Sequence, residues 1–242
     1  TAGGQMTQKP PSPEFDFDGQ RALVLGANQG VGPEVVAALH NAGVRLALDS
    51  PMVADAQIVQ GDDPVLLVTE AAEMLGGLDI LLLSPPPVRN KPVLDWSAEE
   101  IRTVVESELT VSVLQMQAAA RLMSEAGYGR IISILSMSGK AGVHEGVAPF
   151  AAAKAGMLSF MRVLAAETAD QGVTVNGIAT ALFEPQTLTM TEEKRERLRR
   201  QVPVGRFGKS IEAAHAVLYL ASPLAGFVTG ECLNLSGGRF MD

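Results

Sequence analysis

Hydrophobic residues in this chain follow two patterns that alternate along its length. Short apolar runs occur at 21–25, 44–48, near 56–60 and at 78–83, 131–135, 173–178 and 232–235. Segments with apolar residues three or four positions apart follow most of these runs, at 33–41, 64–75, 97–123, 150–167, 191–200 and 211–222. Buried parallel strands are short and apolar, and their crossover connections are helical. The alternation therefore predicts an α/β fold, with a doubly wound parallel sheet between two layers of helices.

Length and composition indicate how this pattern is divided into domains. A chain of 242 residues with 47% hydrophobic residues can bury one sizeable core, which predicts a single domain. Residues 1–14 have no hydrophobic period and are rich in Gly, Gln and Pro. We therefore expect a disordered tail over 1–14 and one domain over 15–242.

Charge and cysteine content exclude several classes of partner. The net charge of −8 argues against nucleic acid and anionic lipid, because both need a basic face. The single cysteine, Cys232, rules out an intramolecular disulfide framework. No apolar run approaches the ~18 residues of a membrane span, and the N-terminal segment lacks a signal-peptide pattern. We expect a cytoplasmic protein with no nucleic-acid or membrane partner, and no metal site is predicted.

A glycine turn joins the first predicted strand to the first helix. It contains Gly26, Gln29, Gly30 and Gly32, in the spacing GxxxGxG. Glycines let the backbone approach a phosphate, and a helix start offers free N–H groups. The turn is a candidate dinucleotide site; the alternative is a strand-to-helix turn that binds nothing.

A second block of residues carries a resemblance to a known family. Ser136 follows a buried strand, and Phe150 and Lys154 lie four residues apart at the start of the next long helix. With the glycine spacing, this block resembles the short-chain dehydrogenase/reductase family, close to β-ketoacyl reductases and 3-hydroxyacyl dehydrogenases. The resemblance implies a three-layer Rossmann-type fold and covers almost everything from Phe15 onward. In this family a Ser orients the substrate carbonyl, and a Lys lowers the pKa of a Tyr and binds the nicotinamide ribose.

The chain departs from the family at positions that would touch cofactor or substrate. Phe150 stands where the family has the proton-donating Tyr, and Glu108 where it has an Asn that kinks a helix and holds a relay water. Pro85–Pro87 replaces an Asn-Asn-Ala-Gly turn, and Thr180-Ala181 replaces a Pro-Gly pair. Only about seven residues separate the second and third strands, too few for the helix that the family places there. Because these losses share one region, they indicate evolved divergence.

The cofactor expected from the resemblance is none, or one that binds weakly. Asp49 lies near the place of the carboxylate that accepts hydrogen bonds from the ribose of NAD, but one residue early. Gln29 occupies a position where NADP users carry Arg. If a dinucleotide binds, NAD is therefore favoured over NADP, held by Gly26, Gln29, Gly30, Gly32, Asp49 and Lys154.

Three functions are consistent with these residues. The first is a non-catalytic subunit that pairs with itself or with an active homologue, through the helices that begin near 97 and 150 and through the last strand. The second is an active NAD(P)-dependent ketoreductase or alcohol dehydrogenase in which His144 replaces the Tyr as acid. We favour the first.

The third function is a cofactor-independent lyase, cyclase or isomerase. It would use His144, Glu145, Glu184 or Glu108 and predicts a closed apolar pocket with a strongly perturbed carboxylate or imidazole. Separately, Arg197, Arg199 and Arg200 form a basic helical face that could bind a CoA or carrier-protein phosphate, or could simply be solvated.

Overall fold

One parallel sheet forms the centre of the molecule. The computed structural model describes residues 17–84, 90–141 and 144–241. Its seven strands are all parallel and lie in the order β3-β2-β1-β4-β5-β6-β7. They are β1 (Arg21–Leu25), β2 (Arg45–Leu48), β3 (Gln57–Ile58), β4 (Ile80–Leu83), β5 (Gly129–Ser136), β6 (Val173–Thr180) and β7 (Cys232–Leu235). The predicted Rossmann-type sheet is confirmed.

Helices cover both faces of this sheet. They are α1 (Gly32–Asn41), α2 (Pro64–Leu75), α3 (Ala98–Val105), α4 (Val111–Ala126), α5 (Met137–Ala141), α6 (Ala148–Thr168), α7 (Glu184–Thr187), α8 (Glu192–Arg199) and α9 (Ser210–Ala221). Buried residues of α2, α4 and α6 pack on one face, and those of α1 and α9 pack on the other. This arrangement gives the three predicted layers and two separate hydrophobic cores.

The strand order creates a crevice next to β1. The chain runs outward from β1 to β3 on one side of the sheet and from β4 to β7 on the other. In such sheets the crevice outside the carboxyl ends of the two central strands is the usual ligand site. The glycine turn after β1 and the segment after β4 therefore lie at its rim.

The connection between β2 and β3 has no helix, as the sequence predicts. Residues 49–56 form bends, turns and irregular backbone, and β3 pairs with β2 through two residues. Val59 N–H then donates to Leu48 C=O at 2.9 Å. The outer edge of the sheet beside the glycine turn is consequently shorter than a full βαβ unit would make it.

The predicted helix over 97–123 is interrupted. Ser97 caps α3 by accepting a hydrogen bond from Glu100 N–H, and the two residues form a capping box. A π-turn, Glu106–Thr110, then separates α3 from α4. π-turns insert one extra residue into a helix and frequently mark functional positions. Periodicity alone did not predict this turn, nor the short helix α5.

Two predictions lie outside the described residues. These are the tail at 1–14 and the Pro85–Pro87 segment. The domain boundary at residue 15 stays a prediction. None of the helices in the described ranges is both long and apolar enough to cross a membrane. In the same ranges, no three His, Cys, Asp or Glu side chains are grouped as metal ligands would be.

Candidate active site

A cavity of about 450 Å³ runs along the crevice from the glycine turn to Lys154. Gly26, Gln29 and Asp49 line one end, and Glu108 and Lys154 line the other. Its volume lies within the range of small-molecule sites. The structure thus brings most of the predicted cofactor residues together in one cleft.

The glycine turn needs glycine at two places for different reasons. Gly26 has a φ of +77°, and a Cβ on it would lie 2.0 Å from the carbonyl oxygen of Ser84. Gly32 has ordinary dihedrals, but a Cβ there would lie 2.5 Å from the carbonyl oxygen of Ala27. The turn is therefore compact against the end of β4. Helix α1 then begins with no side-chain cap, and its first N–H, that of Gly32, donates to Gln29 C=O at 2.7 Å.

Asp49 contacts this turn directly. Its Oδ2 accepts a hydrogen bond from Gly26 N–H at 2.6 Å, and its Oδ1 accepts one from Ala27 N–H at 3.0 Å. The carboxylate therefore closes the turn from within the chain. Each oxygen keeps a further lone pair, and Asp49 lines the cavity, so it can still accept a hydroxyl donor.

Glu108 and Lys154 form a buried ion pair at the other end of the cleft. Lys154 Nζ lies 2.9 Å from Glu108 Oε2, and the two side chains are 2% and 6% exposed, with the lysine the more buried. Two features bring them together: the π-turn, which contains Glu108, and Gly156, where a Cβ would lie 3.2 Å from a methyl group of Leu109. The small residue lets α6 approach the π-turn closely.

Phe150 completes the surroundings of the Lys154 ammonium. Lys154 Nζ lies 5.5 Å from the centroid of the Phe150 ring, within cation–π range, and 3.9 Å from Met157 Sδ. Burial lowers the pKa of Lys154, and the Glu108 carboxylate offsets this only in part. The ammonium is thus held by partners within the chain, and the aromatic residue beside it has no proton to give.

Ser136 and His144 belong to a neighbouring network rather than to the cleft. Ser136 ends β5, and its Oγ accepts a hydrogen bond from Ser138 N–H at 3.1 Å. Ser138 Oγ in turn lies 2.9 Å from His144 Nδ1. Burial lowers the pKa of His144, and the nearby Arg239 guanidinium lowers it further, so the neutral imidazole is favoured near pH 7.

Other predicted residues lie away from the cleft. Glu145 and Glu184 are exposed and are not among the described residues that line the cavity. On α8, Glu196 forms ion pairs with Arg199 at 2.6 Å and with Arg200 at 2.9 Å. These pairs neutralise part of the predicted basic face.

Sequence reasoning missed several polar residues that line the cavity. Gln115, Ser112 and Ser133 project from α4 and β5 into it. They carry no motif, so only the fold could place them there. The pairing of Glu108 with Lys154 did have a signal, because a buried carboxylate needs a counter-charge and Lys154 was the cation at the family's site.

Comparisons with known proteins identify the family of this chain. A family model described as enoyl-(acyl carrier protein) reductase matches residues 49–239. The chain is 33% identical to the 3-oxoacyl-(acyl-carrier-protein) reductase FabG of Escherichia coli strain K12, over 94% of this chain and 100% of that protein. The FabG of Aquifex aeolicus strain VF5 is 30% identical over the same shares. The chain belongs to the short-chain dehydrogenase/reductase family.

Solved structures of other proteins have the same fold. A putative short-chain alcohol dehydrogenase from Sinorhizobium meliloti 1021 superposes with a TM-score of 0.86 at 30% identity, over 94% of this chain and 98% of that one. The TT0495 protein from Thermus thermophilus gives a TM-score of 0.84 at 33% identity, over 91% of this chain and 98% of that one. The short β2–β3 connection thus leaves the overall short-chain dehydrogenase/reductase fold intact.

Short-chain dehydrogenases/reductases use nicotinamide dinucleotides, and the two ends of this cleft fit such a group unequally. The glycine spacing and the spare lone pairs of Asp49 suit the adenosine part. The Lys154 ammonium, which would hold the nicotinamide ribose, is instead paired with buried Glu108. The residues present therefore do not fit the whole dinucleotide.

Proposed function

We propose that this chain is a non-catalytic member of the short-chain dehydrogenase/reductase family that acts as a subunit of a homo- or hetero-oligomeric reductase. The observation that carries the proposal is the Glu108–Lys154 pair beside Phe150. A reductase of this family needs a proton donor at the Phe150 position and a free ammonium at Lys154. This chain has neither.

The cofactor part of the proposal is that a nicotinamide dinucleotide binds weakly or not at all. Both groups that would hold the nicotinamide ribose and donate the proton are engaged or absent. If one does bind, NAD is favoured, because Asp49 would repel the 2′-phosphate of NADP at the glycine turn. The active-homologue partner, rather than this chain, would then supply the cofactor chemistry and act on a CoA- or carrier-linked substrate in the cytoplasm.

Exposed apolar residues support association with another subunit. Val163 lies exposed on α6, one of the two helices predicted to pack between subunits. A second group, Tyr219, Leu224 and Phe227, lies exposed on α9 and in the segment before β7. These side chains are the candidate positions for a surface that a partner covers.

The replacement-acid alternative has less support. His144 contacts Ser138, not Lys154, and its lowered pKa leaves little imidazolium at neutral pH. The lyase or isomerase alternative retains one observation, because Glu108 is a buried carboxylate that lines a cavity. That cavity, however, has a mixed polar lining rather than the apolar one which this alternative predicts.

Turnover is the direct test. The purified chain is incubated with a 3-oxoacyl thioester and NADH or NADPH, and absorbance of the reduced nicotinamide is followed, with an authentic FabG as positive control. We expect no rate above the blank. A rate that disappears in Lys154→Ala but survives in Lys194→Ala, an exposed lysine on α8, would overturn the proposal.

Association is tested separately. We expect light scattering after size exclusion to give the mass of a dimer or larger assembly, and Phe227→Asp or Val163→Asp to shift that mass downward. Co-expression with a family member from the same source tests for a mixed oligomer. A strictly monomeric chain that forms no complex would contradict the subunit role.

A further inference from the structure

We propose that Glu108 sets the ligand preference of the cleft, which takes an uncharged, hydroxyl-bearing molecule of nucleoside size in preference to an anionic dinucleotide. This inference deepens the proposed function and rests on it, because it concerns the same cleft.

The charges that line the cavity disfavour an anionic ligand. The described residues around it include two carboxylates, Asp49 and Glu108, and one ammonium, Lys154, which gives a net charge of −1 (one positive minus two negative). No arginine is among these described lining residues. Because the ammonium lies 2.9 Å from one carboxylate, it offers little attraction to a pyrophosphate.

Hydrogen-bond donors at both ends of the cleft already have partners within the chain. Asp49 already accepts the N–H groups of Gly26 and Ala27, and Glu108 already holds the ammonium. At each end of the cleft, a carboxylate of the chain therefore already occupies the donors that an anionic ligand would need. Burying a further anion beside two carboxylates costs desolvation without a compensating partner.

The rest of the cavity lining is suited to an uncharged polar ligand. Neutral hydrogen-bonding side chains also line the cavity, including Gln29, Gln115, Ser112 and Ser133. Carboxylates with spare lone pairs accept hydroxyl donors, and amides can bond both edges of a heterocycle. A volume of about 450 Å³ admits a molecule of nucleoside size. Polarity and size therefore favour an uncharged polyhydroxylated ligand.

Binding of two probes to the full chain tests this assignment. Adenosine and NADH are titrated by calorimetry into the unmodified protein, Glu108→Gln and Glu106→Gln. Glu106 is an exposed carboxylate in the same π-turn and serves as the matched control. We expect the unmodified protein and Glu106→Gln to bind adenosine at least tenfold more tightly than NADH. In Glu108→Gln, NADH binding should tighten by roughly tenfold, equivalent to about 1.4 kcal/mol, while adenosine binding should not tighten.

The outcomes separate this inference from the proposed function. NADH binding at least as tight as adenosine in the unmodified protein, no adenosine binding at millimolar concentration, or no gain in folded Glu108→Gln would each overturn the ligand assignment. None of these three results would contradict the proposed lack of catalysis, because a chain that does not turn over substrate can give any of them. The turnover assay tests that proposal separately. Circular dichroism checks the fold, and Glu108→Asn provides a second variant if Glu108→Gln unfolds.

Discussion

The two ends of the cleft use the same device, a carboxylate that bonds to its own chain, in opposite environments. At the glycine-turn end, Asp49 is partly exposed and accepts two neutral N–H groups. At the other end, Glu108 is buried and holds a charged ammonium. The first arrangement leaves lone pairs for a ligand, whereas the second uses the only lysine among the described residues of the cavity lining. Sequence motifs are thus present at both ends, while the two ends leave different atoms for a ligand.

The two ends also differ in what holds their motif in place. The glycine turn is fixed by packing, since Gly26 lies against the end of β4 whatever the cleft binds. Lys154 is fixed by an ion pair, which costs desolvation and depends on its partner. A motif that persists for packing reasons is therefore weak evidence for a ligand, and a motif whose key atom has an internal partner is weaker still.

The largest expected effect comes from breaking the buried pair. Lys154→Met should lower the free energy of unfolding by about 3–5 kcal/mol, because Glu108 would remain buried without a counter-charge. The double variant Glu108→Leu/Lys154→Met should recover most of that loss, since two apolar side chains need no partner. Urea unfolding at neutral pH measures both.

The control for this experiment is Lys194→Met, at an exposed position on α8, which should change the free energy of unfolding by less than about 0.5 kcal/mol. If Lys154→Met lowers the free energy of unfolding no more than Lys194→Met does, the Glu108–Lys154 pair does not stabilise the buried end. The contrast between the two ends would then fail.

The second-largest expected effect concerns two glycines of the glycine turn. Gly26→Ala should cost more than about 3 kcal/mol, because its Cβ would overlap the Ser84 carbonyl oxygen and the backbone there must shift. Gly30→Ala should cost only about 1 kcal/mol, because its φ of +53° is strained for alanine but no described atom lies within 4 Å of the Cβ. Thermal melts give both values. Equal costs would show that backbone strain alone, and not the approach to β4, requires glycine at position 26.

The smallest effect concerns pH and the network beside the buried end. Because the pKa of His144 is lowered in the folded protein, the unfolded chain binds the proton at a higher pH, ~6.5, than the folded chain does. Stability should therefore fall as the pH drops from about 7.5 to about 5.5, by less than about 1 kcal/mol from this residue. His144→Asn should remove that part of the pH dependence.

The matched variant for the pH experiment is His40→Asn, on α1 and paired with Asp55 at 3.0 Å. The comparison uses the free energy of unfolding of all three proteins at both pH values. A pH dependence unchanged by His144→Asn would show that burial and the Arg239 guanidinium do not restrict protonation of the imidazole.

Much of the fold could be predicted from local patterns. The strands, the glycine turn, the absent helix between β2 and β3 and the doubly wound parallel sheet are all confirmed. The π-turn was not predicted, because one extra residue in a helix barely alters its hydrophobic period. The network of Ser136, Ser138 and His144 was not predicted either, because it depends on the path of a loop.

The sequence by itself determined that Phe150 has no proton to donate and that the strands and helices alternate. Residue chemistry and short-range periodicity do not depend on tertiary contacts. Only the tertiary structure decided which partner each polar group has. Glu108 and Lys154 are far apart along the chain, and Asp49 lies 23 residues from Gly26. A charge buried by folding must be neutralised by whatever the fold brings near, and here that was a residue of the same cleft.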